Sequence, residues 1–239
     1  MTGRPACVVP LAGPDLIHPT LGLKPLFPVD GRPLIEVALG GRRWAGALEP
    51  ADYVFVIRET AGAEHVIAHL AGVFRGCGIV RLPWITDGAL LSALAGAAAL
   101  RASTGPLIID LADILFSGGP SIEDLGAWPH DLGGLVPWFP SDDLGYSYLR
   151  CEGDLVLEAA EKRRISDRAS AGVYLFRDVG TFVAAAGHSL ANRNALSHGG
   201  AMFVCPAING LLDARLTVRA MRVNDVRSLS SNFRSALST

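Results

Sequence analysis

Four short apolar runs rich in β-branched residues, spaced by segments of helix length, limit most sharply what this chain can fold into. They are Ala6 to Leu11, Tyr53 to Ile57, Ile79 to Leu82 and Pro106 to Asp110, with helical patterns between them near Leu34 to Leu39, Glu64 to Phe74 and Ala89 to Ala102. Strands that alternate with helices predict a parallel sheet joined by crossover helices. The almost unbroken apolar character of Val54-Phe55-Val56-Ile57 and Leu107-Ile108-Ile109 predicts strands covered on both faces. The first half therefore reads as a doubly wound, mostly parallel, Rossmann-like α/β sheet.

The second half changes character. Gly133 to Phe139, Tyr146 to Arg150, Asp154 to Leu157 and Ala171 to Phe176 read as strands, mixed with helices near Val179 to Ala186 and Cys205 to Leu212. The composition shifts at Ser117-Gly118-Gly119-Pro120, so we expect one domain over 1–239, with a parallel half at 1–117 and a mixed half at 118–239. Half of the 239 residues are apolar, enough for a substantial core.

A formal charge of −2 and only 18% charged residues leave no basic surface for nucleic acid, and a small-molecule partner is expected. Cys7, Cys77, Cys151 and Cys205 are widely spread and show no C-x-x-C pairing, which suits reduced core thiols. No signal pattern opens the chain. The longest apolar stretch, Ala89 to Leu100, is shorter than the ~20 residues that span a bilayer. We expect a soluble cytoplasmic protein without a membrane partner, and a homo-oligomer is compatible with the sequence.

The chemistry concentrates first in Val8 to Ile35. The first strand breaks at Ala12-Gly13-Pro14, and a lone Lys24 follows among turn-forming residues before Gly31-Arg32-Pro33 introduces a helix. A strand feeding a small-residue loop presents backbone N–H groups to a phosphate or base edge, and a lysine further along can neutralise phosphate charge. Lys24-Pro25-Leu26-Phe27-Pro28-Val29-Asp30-Gly31-Arg32-Pro33-Leu34-Ile35 resembles the K-P-L-x-P-V-x-G-(K/R)-P run of the nucleotidylyltransferases, enzymes that activate sugar phosphates and related metabolites with a nucleoside triphosphate. Their preceding loop, roughly A-G-x-G-(T/S)-R, is degenerate here. Ala12-Gly13 survive, but Pro14-Asp15-Leu16-Ile17-His18 stands in place of the second glycine and the arginine.

Further segments resemble the same family. Asp110 and Asp113 lie at and just after the end of a buried strand, where open α/β sheets bind ligands. The resemblance places Asp113 on the metal-binding aspartate, whereas Asp110 is expected to cap or brace the loop; a turn or N-cap aspartate also explains either. Magnesium suits such a carboxylate beside substrate phosphates. Thr86-Asp87-Gly88-Ala89 resembles the small-residue helix start beside the nucleobase, although an Asp87 N-cap explains it as well. Glu161-Lys162, ahead of Ile165-Ser166 and Gly172-Val173-Tyr174-Leu175-Phe176, resembles the pair that handles the acceptor, with a charged surface turn as the bland alternative. Near the end, Val204-Cys205-Pro206-Ala207-Ile208-Asn209 resembles an acceptor-side helix start. Asp225 is either a second metal carboxylate or a residue of a surface turn.

The resemblance implies a nucleotide-diphospho-sugar transferase-like fold, with a nucleotide-binding first half and an acceptor-binding second half. It implies nucleotidyl transfer from a nucleoside triphosphate to a phosphorylated small molecule, with magnesium and release of pyrophosphate. Catalytic residues would be Lys24, Asp113 and Lys162. The nucleotide would meet Leu11, Ala12, Gly13, Thr86 and Gly88, the acceptor Glu161, Lys162, Gly172 and Asn209, and the metal Asp113 and Asp225. With the loop arginine absent, Lys24, Arg32 and His18 are the candidate cations for the triphosphate. The rival expectation is a chain that keeps the fold and binds a metabolite or partner without transfer. A nucleotide-sugar-using glycosyltransferase of similar architecture explains neither the K-P-L run nor Glu161-Lys162.

Overall fold

The computed structural model describes residues 3–100, 105–121, 123–124 and 128–229. Strand β1 (Ala6–Pro10) is followed by two small hairpins, β2 (Ile17–His18) with β3 (Gly22–Leu23) and β4 (Pro28–Val29) with β5 (Arg32–Pro33). Then come α1 (Leu34–Gly40), β6 (Tyr53–Arg58), α2 (Ala63–Val73), β7 (Gly78–Leu82), α3 (Ala89–Ala98) and β8 (Leu107–Asp110). Helix α3 stops at Ala98, short of the expected Ala102, and residues 101–104 lie outside the described set.

β7, β6, β1 and β8 lie side by side and all pair in parallel. Successive strand residues point to opposite faces. Cys7 and Val9 therefore pack with α1 and α2 residues such as Leu39 and Leu70, while Val8 packs with Leu90 and Ala93 of α3. Both faces of β1, β6 and β8 are buried, which is why these three read as continuous apolar runs, whereas the edge strand β7 is only partly covered.

The second half holds β9 (Ile114–Gly118), β10 (Leu132–Pro140), β11 (Ser147–Glu152), β12 (Leu155–Glu161), β13 (Arg168–Ser170), β14 (Val173–Phe176) and β15 (Thr217–Ser228). A helix at Val179–Ala191 starts on Asp178, whose carboxylate accepts the Thr181 N–H at 2.7 Å. A short turn at Cys205–Ala207 runs into the helix Ile208–Asp213. β14 joins β8 antiparallel and carries the sheet on to β10, so among the described residues one mixed sheet of eleven strands crosses the expected join, which falls inside β9. Beyond β14 the sheet closes on itself: β10 pairs with both β13 and β15, β13 with β11, β11 with β12, and β12 with β15.

The sequence pattern does not announce β9, β13 or β15. β15 interleaves exposed Arg219, Arg222 and Arg227 with buried Val218, Ala220 and Val223, so its composition alternates charge with core residues. Asp225, expected either on a metal or in a surface turn, lies in this strand, which bulges there with φ 51°. All four cysteines are free thiols, Cys7 and Cys205 buried. Among the described residues no helix is long and apolar enough to cross a membrane.

Candidate active site

β1 and β8 are neighbours that run the same way, so the loop after Pro10 and the turn after Asp110 emerge together. A cavity of about 420 Å³ opens between them, the start of α3 and the wall formed by β11, β12 and β14. Leu11, Ala12, Gly13, Lys24, Thr86, Gly88 and Asp113 line it together with Glu161, Lys162 and Gly172, the last close against the Asp113 turn. The sheet thus brings these ten expected residues together from segments scattered along the chain.

Lys24 opens a one-turn 3-10 segment, Lys24–Leu26, in which Pro25 fixes the backbone. Its Nζ donates to Asp113 Oδ2 at 3.1 Å and also to Asp15. Burial pushes the ammonium pKa down, but the Asp113 and Asp15 carboxylates push it further up, and the net shift is above the ordinary lysine value.

The Asp113 turn is braced from beneath. Asp110 is fully buried and takes a two-pronged grip from Arg42, Nε at 2.8 Å and Nη2 at 3.0 Å, while Arg42 Nη1 donates to the Ile114 carbonyl at 3.1 Å. Asp110 Oδ1 also accepts the Ala112 N–H at 2.8 Å, which helps hold Ala112 at a left-handed φ of 54°. Leu111 N–H donates to the Gly172 carbonyl at 2.9 Å. Gly172 itself sits at φ 73°, a conformation that favours glycine, between β13 and β14.

On the opposite wall, Glu161 stands across from Ser147 in the β11–β12 ladder and accepts the Ser147 hydroxyl. Lys162 follows at φ 48°, its N–H on the Tyr146 carbonyl at 3.1 Å and its Nζ 4.8 Å from the centre of the Phe203 ring. Two left-handed non-glycine residues, Ala112 and Lys162, therefore flank the same cavity. Such strain, of order 1–3 kcal/mol each, collects where a site fixes geometry.

Other expectations shift. Asp87 is not the cap of α3; Gly88 is, at φ 106°, and Asp87 pairs with Arg193 at 2.9 Å. A Cβ on Gly88 would lie 2.0 Å from the Met202 carbonyl oxygen, so the chain's own backbone demands glycine there. Asn209 does not line the cavity; its amide spans the Ala159 N–H and carbonyl at 2.9 and 2.8 Å and pins the helix Ile208–Asp213 to β12. Asp225 also lies off the cavity lining, on the Ser117 hydroxyl. Of the three candidate cations, only Lys24 reaches the cavity. His18 Nδ1 instead accepts the Thr20 and Leu21 N–H groups, at 3.2 and 3.1 Å, and Arg32 pairs with Glu36.

Sequence reasoning missed Asp15 and Arg42 as partners of the site. The Arg42–Asp110 pair spans 68 residues, so no local pattern in the sequence marks it. Asp113 beside the cavity fits a magnesium ion, which takes one or two carboxylates together with substrate phosphates. Among the described residues no cluster of three or more His, Cys, Asp or Glu is placed to hold a metal by itself.

No protein-family model and no curated protein matches the sequence. Solved structures do. A nucleoside-diphosphate-sugar pyrophosphorylase from Vibrio cholerae RC9 aligns over 95% of this chain and 98% of its own, with TM-score 0.76 and 18% identity. The inositol-1-phosphate CTP transferase from T. maritima aligns over 95% and 88%, with TM-score 0.64 and 12% identity. A protein assigned as a glucose-1-phosphate thymidylyltransferase from Bacillus anthracis aligns over 98% and 92%, with TM-score 0.69 and 16% identity. The chain thus has the mixed α/β fold of the nucleotidylyltransferases that its sequence motifs resemble.

Proposed function

We propose that the chain transfers a nucleotidyl group from a nucleoside triphosphate to a phosphorylated small molecule and releases pyrophosphate. The observation that carries this is the convergence of Lys24 and Asp113 with Glu161 and Lys162 on one cavity. An acceptor phosphate oxygen attacks the α-phosphorus in line, so the protein contributes positioning and charge stabilisation rather than a covalent intermediate. On this reading Leu11 to Gly13, Thr86 and Gly88 seat the nucleotide and Lys24 faces its phosphates. Glu161 and Gly172 hold the acceptor, while Lys162 stabilises charge on the phosphoryl group being transferred. Magnesium held by Asp113 would neutralise triphosphate charge.

The parallel half, covered by helices on both faces, supports a doubly wound nucleotide-binding reading of residues 1–117. The names of the three structural neighbours favour a sugar phosphate or a related polyol phosphate as acceptor. Free thiols at all four cysteines suit a reducing, cytoplasmic setting.

Pyrophosphate release across a panel of nucleoside triphosphates and phosphorylated acceptors tests the proposal. One pair should give release, and Asp113→Asn should lower it by about 10²-fold or more. A second reading, binding without transfer, is favoured by one observation: Lys24 is held by two carboxylates, one of them on the loop expected to receive phosphate. It prevails if no pair releases pyrophosphate while a nucleotide or sugar phosphate still raises the melting temperature.

A further inference from the structure

The loop after β1 carries a carboxylate where a phosphate-binding loop would offer donors. Pro14 has no N–H, and the Leu16 N–H is spent on the Gly13 carbonyl at 3.2 Å. Asp15 is folded back over the loop: a Cβ on Gly13 would lie 2.6 Å from Asp15 Oδ1, so the glycine makes room for this side chain. From there Asp15 reaches Lys24, which Asp113 also holds. The Lys24 side chain is only 12% exposed, so the contact is shielded from solvent. Among the described residues lining the cavity, two lysines, Lys24 and Lys162, face three carboxylates, Asp15, Asp113 and Glu161.

We propose that Asp15 is a specificity-determining residue: it locks the Lys24 ammonium and so weakens the binding of metal-free polyphosphate in this cavity. An incoming phosphate oxygen must displace the Asp15 carboxylate from Lys24 and then remain close to its charge. Like charges a few ångströms apart repel even in high dielectric, and more strongly in a partly buried site. The lock therefore discriminates by total charge, disfavouring pyrophosphate more than a monophosphate. This rests on the reading of the cavity as a phosphate-binding site.

The experiment is calorimetric titration of inorganic pyrophosphate and inorganic phosphate, in chelator, into the full chain and into Asp15→Asn, Lys24→Met and the double variant. Asp15→Ser runs alongside as a second replacement, and thermal melts check that each variant folds. Asp15→Asn should bind pyrophosphate at least about fivefold more tightly, with a smaller gain for phosphate, and the gain should shrink in the Lys24→Met background, where only direct repulsion by Asp15 is relieved. A smaller gain in both Asp15 variants, an equal gain without Lys24, or no pyrophosphate binding to any of the proteins overturns the proposal. The release assay reports separately on transfer. A chain that releases no pyrophosphate yet gains affinity in Asp15→Asn loses the transfer reading and keeps this one, and release without the gain does the reverse.

Discussion

Replacing Arg42 by methionine should unfold this protein more readily than any exposed substitution, for reasons that lie in its partner. Methionine fills much of the same space beside Trp44 and Phe116, whose ring centre is 4.1 Å from the guanidinium carbon. The loss is electrostatic: Asp110, with no exposed surface, keeps only the Ala112 N–H among the three donors described above. Removing one member of a buried ion pair costs about 3–5 kcal/mol, a large part of the ~5–15 kcal/mol that holds a domain together. At ~2–4 °C per kcal/mol for a chain of this size, the melting temperature should fall by roughly 6–20 °C. Adding Asp110→Leu removes the stranded charge and leaves one unsatisfied N–H at Ala112, worth about 1–3 kcal/mol. The double variant should thus recover about 2 kcal/mol relative to Arg42→Met. Urea unfolding followed by circular dichroism measures all the corners of the cycle. A loss below about 1 kcal/mol in Arg42→Met, or a double variant no more stable than the single, refutes the argument.

Two further outcomes follow from the cavity walls. Gly88→Ala must move the Met202 carbonyl, which accepts the Leu90 N–H at 3.1 Å, and must also strain a backbone at φ 106°. It should cost about 2–5 kcal/mol in the same unfolding assay, and a loss under about 1 kcal/mol would show that the segment yields freely. Lys24 has a folded pKa above its ordinary value of 10.5 because Asp113 and Asp15 outweigh the opposing effect of burial. Its contribution to stability is therefore complete below the unfolded pKa and fades as pH rises through the folded one. From about pH 10.5 upward the stability difference between the native chain and Lys24→Met should shrink, and a difference that grows with pH contradicts the assignment.

The parallel half was legible because strands buried on both faces leave unbroken apolar runs, and β1, β6 and β8 fall where those runs lie. Lys24, Asp113, Glu161 and Lys162 were legible because each sits in a local motif, and the sheet brings those motifs to one cavity. Contacts between distant residues were not. Nothing local marks Arg42 as the partner of Asp110, or Asp15 as the residue that holds Lys24. Asn209 shows the opposite failure, since it stands in a matching motif yet spends its amide on the backbone of β12. β15 escaped because an amphipathic strand studded with arginines has the composition of a surface segment.

That last strand also decides when the molecule can finish folding. Among the described residues β9 has one ladder partner, β15, and β15 also lies against β10 and β12. On the ribosome, β9 and the free flank of β10 must wait for distant residues to be made, with their N–H and C=O groups exposed in the meantime. Pairings between segments so far apart in the chain are slow to form, because loop closure opposes them before contact rewards them. Leu229, just past β15, donates its N–H to the Asp113 carbonyl at 3.0 Å. The cavity's central carboxylate is consequently among the last features to be set, and a nascent chain stopped before Thr217 would present unpaired strand edges rather than a working cleft.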